Sequence, residues 1–86
     1  MQSRVAVIGI IVEDPASVEA LNELLHEFAD IIIGRMGIPY HRRDISVISI
    51  AVDAPQDRTS ALTGRIGALD GVSCRTAFSN LFFDAE

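Results

Sequence analysis

The sequence predicts one α+β domain whose elements follow the order strand, helix, strand, strand, helix, strand. The chain has 86 residues, 49% apolar and only 22% charged, which is enough for one small core. Runs rich in β-branched residues alternate with stretches in which apolar residues recur every three or four positions. One cysteine, six glycines and three prolines exclude a disulfide scaffold and a collagen-like or disordered chain.

The first half of the chain predicts a strand, a helix and a second strand. Residues 5–12 form a β-branched apolar run that is typical of a buried strand. Asp14 and Pro15 predict the start of a helix, because aspartate caps free N–H groups and proline suits the first helical position. Residues 18–28 supply the apolar stripe of that helix. Residues 31–38 predict the second strand, and the two glycines inside it indicate a bulge or the close approach of another backbone.

The second half predicts a hairpin and another helix. Residues 39–43 are turn material, and residues 44–52 form a third strand that pairs with the second. Asp53 and Gln56 have the spacing of a capping box at the start of the second helix. That helix is expected to end at residues 70–71, an Asp-Gly pair.

The closing segment completes a ferredoxin-like βαββαβ pattern. Residues 72–78 predict the fourth strand, so residues 4–79 form the predicted domain, and residues 80–86 are expected to be a loose tail. We expect a four-stranded antiparallel sheet with both helices on one face and with strands 1 and 3 in its centre.

The apolar pattern also predicts self-association. Strands 1 and 3 carry apolar residues at both alternate positions, although two helices can cover only one face of the sheet. Three or four residues of the set Val5, Val7, Ile11, Ile45 and Val47, or their alternates, are expected to face outward. A second copy of the chain is the simplest cover for such a surface, so we expect a homodimer or a tetramer made of two dimers.

Charge and composition indicate which binding partners and which cellular compartment to expect. Twelve acidic and seven basic residues give a net charge of −5, which argues against direct binding to duplex DNA. The longest apolar run has eight residues, far fewer than the ~20 of a membrane span, and no targeting segment is recognisable. The lone Cys74 fits a reducing compartment, so we expect a cytoplasmic protein without a cofactor.

Two positively charged or glycine-bearing stretches are candidate ligand sites. Arg42 and Arg43 concentrate positive charge in the predicted hairpin, where they could hold a carboxylate or phosphate or pair with acids of a neighbouring subunit. Gly64, Arg65 and Gly67 lie in the second helix, where two glycines cost about 2 kcal/mol relative to alanines. That cost predicts close packing against another backbone or, alternatively, a ligand site.

Catalytic and metal-binding signals are weak. His26, His41 and Cys74 are the soft ligands available, and their spacing matches no metal motif, so we expect only weak Ni²⁺ or Zn²⁺ binding. The sequence has no local nucleophile–base motif and no paired-carboxylate signature. A small dimeric enzyme with its substrate between helices and sheet, and a metal-responsive sensor, remain alternatives to a regulatory module.

Several segments resemble one family of small stand-alone ACT-like domains, the iron-only ([FeFe]) hydrogenase system regulators. The matching residues are 11–14 (IVED), 18–28 (VEALNELLHEF), 35–39 (RMGIP), 61–67 (ALTGRIG) and 71–72 (GV). The resemblance implies the βαββαβ fold, shared with the regulatory domain of the nickel-responsive repressor, and a non-enzymatic regulatory role in bacteria. Any effect on transcription would then require a protein partner that carries its own DNA-binding element.

Two departures restrict what the resemblance implies about sites. The nickel repressor binds metal through a set of histidines and a cysteine, and this chain has no such cluster. Amino-acid-binding ACT domains use a glycine-bearing turn after the first strand, whereas residues 13–15 here are Glu-Asp-Pro. Neither a metal site, nor an amino-acid site, nor a catalytic residue follows from the family.

Overall fold

The computed structural model describes residues 2–84 as a four-stranded antiparallel sheet with two helices on one of its faces. The strands are β1 (Gln2–Val12), β2 (Ile32–Tyr40), β3 (Ile45–Ala54) and β4 (Val72–Asp84), and the helices are α1 (Val18–Glu27) and α2 (Gln56–Gly67). The strand order is β2-β3-β1-β4, so β1 and β3 occupy the centre. The predicted ferredoxin-like fold, with its two central strands, is confirmed.

The core lies between the sheet and the helices. Every second residue is buried there from Ala6 onward in β1 and from Ile48 onward in β3, together with the apolar stripes of both helices: Ala6, Ile8, Ile10 and Val12 of β1, Ile48, Ile50, Val52 and Ala54 of β3, Leu21, Leu24 and Leu25 of α1, and Leu62 and Ile66 of α2. Full burial of each large side chain contributes about 1.5–3 kcal/mol. Because side chains alternate along a strand, the residues between these buried positions face away from the helices.

The sequence predicts a helix start at Asp14 and Pro15; in the structure these residues begin a short 3-10 turn, and α1 itself starts at Val18 without a side-chain cap. The Asp14 carboxylate accepts a hydrogen bond from the N–H of Ala16 (3.0 Å), and Pro15 opens a short 3-10 turn that leads into α1. The hydroxyl of Ser17 donates to the carbonyl of Asp70 (2.6 Å), which ties this turn to the segment after α2.

The predicted cap of α2 is wrong. Asp53 lies in β3, and the residue that precedes α2 is Pro55, which makes no side-chain cap. The physical reason is strand pairing, since Val5 and Arg4 of β1 stand opposite Asp53 and Ala54 and hold them in the ladder. The pairing therefore delays the helix until Gln56.

The predicted loose tail is also wrong for residues 80–84, which continue β4 along the beginning of β1. A bulge separates the pair Ala6–Phe78 from the pair Arg4–Phe82. The guanidinium carbon of Arg4 lies 4.8 Å from the centres of both phenyl rings, an arrangement that favours a cation–π interaction. Residues 85 and 86 of the predicted tail lie outside the described residues.

The bulge expected in the second strand is present near its beginning. Ile32 stands opposite Val52 and Gly34 opposite Ala51, so Ile33 is the extra residue. Apart from Ile32, which is half-buried, every residue of β2 is exposed, as befits an edge strand on which no helix packs closely.

Candidate functional site: the open face of the sheet

The sheet face opposite the helices, here called the open face, is apolar over most of its area. Strand register places on it Met36, Ile38 and Tyr40 of β2, Ile45, Val47, Ser49, Ala51 and Asp53 of β3, Val5, Val7, Gly9 and Ile11 of β1, and Ser73, Arg75 and Ala77 of β4. Met36 is 62% exposed, Ile38 52%, Val7 46% and Val47 37%. Isolated exposed apolar residues are ordinary, but this set is contiguous. The sequence predicts that three or four of five named apolar residues face outward, and all five belong to this set.

One row across the open face differs from the rows beside it. Met36, Ser49, Gly9 and Arg75 stand opposite one another on four successive strands. A Cβ atom built on Gly9 would meet no other atom within 4 Å, so the space above this glycine is empty. The row therefore forms a depression in an otherwise apolar surface.

The depression is a shallow cavity of about 470 Å³. Ile11 and Val47 form its apolar part, while Ser49, Ser73 and Arg75 bring polar groups to it. Arg75 is the single charged residue in the lining, and one of its terminal nitrogens donates to the carbonyl of Cys74 (3.0 Å). A guanidinium group between apolar walls is suited to bind an anion that also has an apolar body.

The hairpin candidates, Arg42 and Arg43, lie in the exposed turn between β2 and β3. The N–H of Arg43 donates to the carbonyl of Tyr40 (3.1 Å) and closes the turn. Neither side chain lines the cavity of the open face, so a ligand role for them stays a prediction.

The three candidates on α2 lie on its exposed side. Arg65 forms an ion pair with Glu27 of α1 and places its guanidinium carbon 5.7 Å from the centre of the Phe28 ring, which gives it a structural role between the helices. The expected close packing of Gly64 and Gly67 is absent among the residues that the structure describes, because a Cβ on either would meet nothing within 4 Å. Their alternative role at a ligand site stays a prediction.

The soft ligand candidates are dispersed over the fold. His26 is exposed on α1, His41 is exposed in the hairpin turn, and Cys74 is half-buried on the helix side of β4. Burial raises the pKa of the Cys74 thiol, which disfavours the thiolate that would bind metal. Within residues 2–84, no three histidine, cysteine, aspartate or glutamate side chains are grouped so that they could hold a metal ion.

A second, shallower groove runs between α1 and the edge strand β2. Val18, Asn22 and His26 line it on the helix side, and Arg35 and Pro39 on the strand side. One terminal nitrogen of Arg35 donates to the side-chain oxygen of Asn22 (3.2 Å) across the groove. Because this bond spans the opening, the groove is less available to a ligand than the cavity above Gly9.

Sequence reasoning named two apolar residues of the open-face cavity, Ile11 and Val47, as outward-facing candidates but missed its glycine and its polar residues. Ser49, Gly9 and Arg75 come from three separate strands, and only the register brings them into one row. The available signal was Gly9 itself, a glycine in the middle of an apolar strand, because such a residue weakens the strand and marks a close approach or an open space.

The protein is therefore a small ferredoxin-like α+β domain with an apolar sheet face that its two helices leave uncovered. The two helices described in residues 2–84 both lack the length and hydropathy of a membrane span.

Comparison with known proteins gives the family. The family model described as "TM1266-like: Iron-only hydrogenase system regulator, putative" matches residues 4–76. The chain therefore belongs to this TM1266-like family, which agrees with the resemblance found in the sequence. No curated protein matches the chain.

Two solved structures place the fold among known ones. The uncharacterized protein TM1266 from Thermotoga maritima has a TM-score of 0.85 and 28% identity, over 88% of this chain and 96% of that one. A formyltetrahydrofolate deformylase from Pseudomonas putida has a TM-score of 0.64 and 11% identity, over 90% of this chain but only 29% of that enzyme. The second likeness concerns the fold alone, since this chain corresponds to less than a third of the deformylase.

Proposed function

We propose that this chain is a non-catalytic regulatory domain of an iron-only hydrogenase system and that it works as a homo-oligomer assembled through the open face. The observation that carries the proposal is the contiguous apolar surface left uncovered by the two helices. Membership of a family described as hydrogenase system regulators supports the regulatory part.

The size of the open face is adequate for a dimer. Four strands about 4.8 Å apart, each with about ten residues at a rise of ~3.3 Å, give a face of about 600 Å². Two such faces in contact would bury about 1,200 Å², the lower end of the range for specific protein interfaces. A face of this size supports a dimer or a dimer-based tetramer.

Charge favours a second copy as the occupant. The chain carries a net charge of −5, but the charged residues on the open face are Asp53 and Arg75, one of each sign. By contrast, α1 exposes Glu19 and Glu23 along one side, next to Glu27, which pairs with Arg65. Two copies would therefore repel each other through the α1 surface and meet without net repulsion through the open face.

The cavity lining supports a binding role over catalysis. Its ionisable residues are Arg75 and Cys74; a guanidinium group has hydrogen-bond donors but no acceptor, and burial raises the pKa of the thiol. Neither group is therefore a ready general base or nucleophile at neutral pH. The non-enzymatic reading fits the description of the family.

Regulation of transcription would require a partner. Twelve acidic and seven basic residues give the chain a net charge of −5, so its overall charge opposes binding to the phosphates of DNA. We propose that the oligomer acts in the cytoplasm by binding a protein that carries its own DNA-binding element.

Assembly through the open face is tested by one charge placed in its centre. Val47→Asp would put a carboxylate into each half of the contact, and Ala61→Asp adds the same charge at an exposed site on α2. We expect light scattering to report oligomers for wild type and Ala61→Asp, and monomers for Val47→Asp. Equal masses for all three proteins, with native circular dichroism, would contradict the proposed interface.

The regulatory role is tested in cells of the source organism. Deletion of the gene should change the transcript levels of the hydrogenase genes, and wild type and Ala61→Asp should restore them. Val47→Asp should fail to restore them at equal protein levels. Unchanged transcripts in the deletion strain would contradict a transcriptional role.

A further inference from the structure

We propose that the cavity above Gly9 binds a small molecule made of one carboxylate and an apolar body, such as an aromatic or branched aliphatic acid. The proposal rests on the regulatory function proposed above, because it names the chemistry of the effector. The proposed site lies on a different surface from the hairpin and α2 candidates, and its binding groups all belong to the open face.

The first argument is that the chain's own structure does not require a glycine at position 9. Gly71, and not Gly9, is the glycine with a positive φ among residues 2–84. A Cβ on Gly9 would meet nothing within 4 Å, so no neighbouring backbone needs the space. Valine or isoleucine would strengthen a central strand at this place. The absence of a side chain at Gly9 leaves a space that no other residue fills, and we infer that a ligand occupies this space.

The second argument is the placement of polar groups around that space. Ser49 and Arg75 are the direct register partners of Gly9 on its two sides, and Ser73 lies one step away on β4. A guanidinium group can donate two parallel hydrogen bonds to a carboxylate, and serine hydroxyls can donate further ones. The polar groups therefore converge where the side chain of residue 9 is missing.

The third argument is the apolar frame of the cavity. The neighbouring row on one side contains Ile38, Val47 and Ile11, and the row on the other side contains Ala51, Val7 and Ala77. Hydrophobic rows around a few convergent polar groups are typical of small-molecule sites. A ligand that carried charge at both ends would leave one charge on an apolar wall, so a monocarboxylate with an apolar body fits best.

The volume of the cavity limits the size of the ligand, and its position on the open face links ligand binding to assembly. A cavity of about 470 Å³ lies within the 300–1,000 Å³ usual for small-molecule sites. The cavity is shallow in one copy, but a second copy on the open face would enclose it and exclude water. Binding and assembly are then linked, and a carboxylate that binds the enclosed site also stabilises the oligomer.

The test is a titration of isotope-labelled protein with benzoate, followed by amide chemical shifts. Benzyl alcohol is the uncharged counterpart. We expect saturable shifts at Gly9, Ser49 and Ser73, with benzoate binding about tenfold or more tighter than benzyl alcohol, since a hydrogen-bonded charge is lost in the alcohol.

Two pairs of variants assign the site. Arg75→Gln should weaken benzoate about tenfold or more, whereas Arg58→Gln removes the same charge on the helix side and should leave affinity unchanged. Gly9→Val should fill the space and abolish binding while raising the melting temperature. Gly34→Val adds the same bulk on the open face outside the cavity lining and should keep binding.

Three results would overturn the site. The first is the absence of saturable shifts with benzoate up to about 10 mM, a concentration at which even weak binding would be visible. The others are equal benzoate affinity in wild type and Arg75→Gln, and full benzoate binding by Gly9→Val. Failure of the site and failure of the proposed function are distinguishable. An oligomer that ignores benzoate contradicts the site alone, and a wild-type monomer that binds it contradicts the proposed assembly alone.

Discussion

The glycine at position 64 provides a sensitive test of what approaches α2. Gly64 is an interior residue of this helix, and its side is exposed. A Cβ built on it would meet no atom within 4 Å outside its own helix turn. If the chain alone occupies this surface, Gly64→Ala should therefore stabilise the protein.

The magnitude follows from helix propensity. Alanine is more favourable than glycine in a helix interior by about 0.8–1 kcal/mol, and the absence of a clash leaves most of that gain. For a domain of 60–100 residues, each kcal/mol shifts the melting temperature by about 4–8 °C. We expect Gly64→Ala to unfold about 3–8 °C higher than the wild type.

The same substitution at Gly71 is the control, and it should destabilise the protein. Gly71 has a φ of +67°, and a Cβ there would lie 2.6 Å from the Cβ of Asp14 and 3.0 Å from its backbone nitrogen. A left-handed conformation costs a residue with a Cβ about 1–2 kcal/mol, and the clash with fixed backbone adds to this. We expect a loss of about 2 kcal/mol or more in the free energy of unfolding.

Urea denaturation followed by circular dichroism measures both changes. The reasoning is refuted if Gly64→Ala lowers the free energy of unfolding while the secondary structure stays native. Such a loss would mean that a backbone or ligand approaches α2 at Gly64, as one sequence-based interpretation holds. Dependence of the loss on protein concentration would identify the approaching surface as a second copy.

Three further predictions concern single side chains. The hydroxyl of Thr59 is buried without a hydrogen-bond partner in residues 2–84, so Thr59→Val should stabilise by up to about 1 kcal/mol in urea denaturation; a loss above that size would contradict it. The hydrogen bond from Arg58 lowers the pKa of the Asp30 carboxyl. The pair therefore stabilises the folded protein above the unfolded-state pKa near ~3.9, and this stabilisation disappears as pH falls through the folded-state pKa. The stability difference between wild type and Asp30→Asn should vanish in acid, and a difference that stays constant with pH would contradict the assignment. Burial raises the pKa of the Cys74 thiol, so a disulfide reagent at neutral pH should modify it more slowly in native than in urea-unfolded protein, and equal rates would contradict its burial.

Most of the fold could be predicted because each element has a local signature. The alternation of Ile48, Ile50 and Val52 with Val47 and Ser49 identifies both faces of a central strand, and the register agrees. Asp53 was expected to cap a helix, since capping residues are recognised by local spacing. Pairing with β1 overrides that local preference, and such long-range pairing has no local signal.

The cavity could not be predicted because it depends on register between distant segments. Gly9 and Arg75 are neighbours in space only because β1 and β4 pair from Val12–Val72 onward without a shift until the bulge. The positive charge of Arg42 in a predicted turn indicates a ligand site or ordinary solvent exposure, and the sequence does not distinguish the two. Local composition therefore identified exposed arginines and missed the arginine that lines a cavity.

Sedimentation equilibrium of the wild-type protein at micromolar concentration reports directly whether the uncovered apolar face holds copies of the chain together. We predict a dimer or a tetramer with little monomer. A single monomeric species across this range would contradict the claim, together with the argument that apolar residues on both faces of β1 and β3 require a second copy.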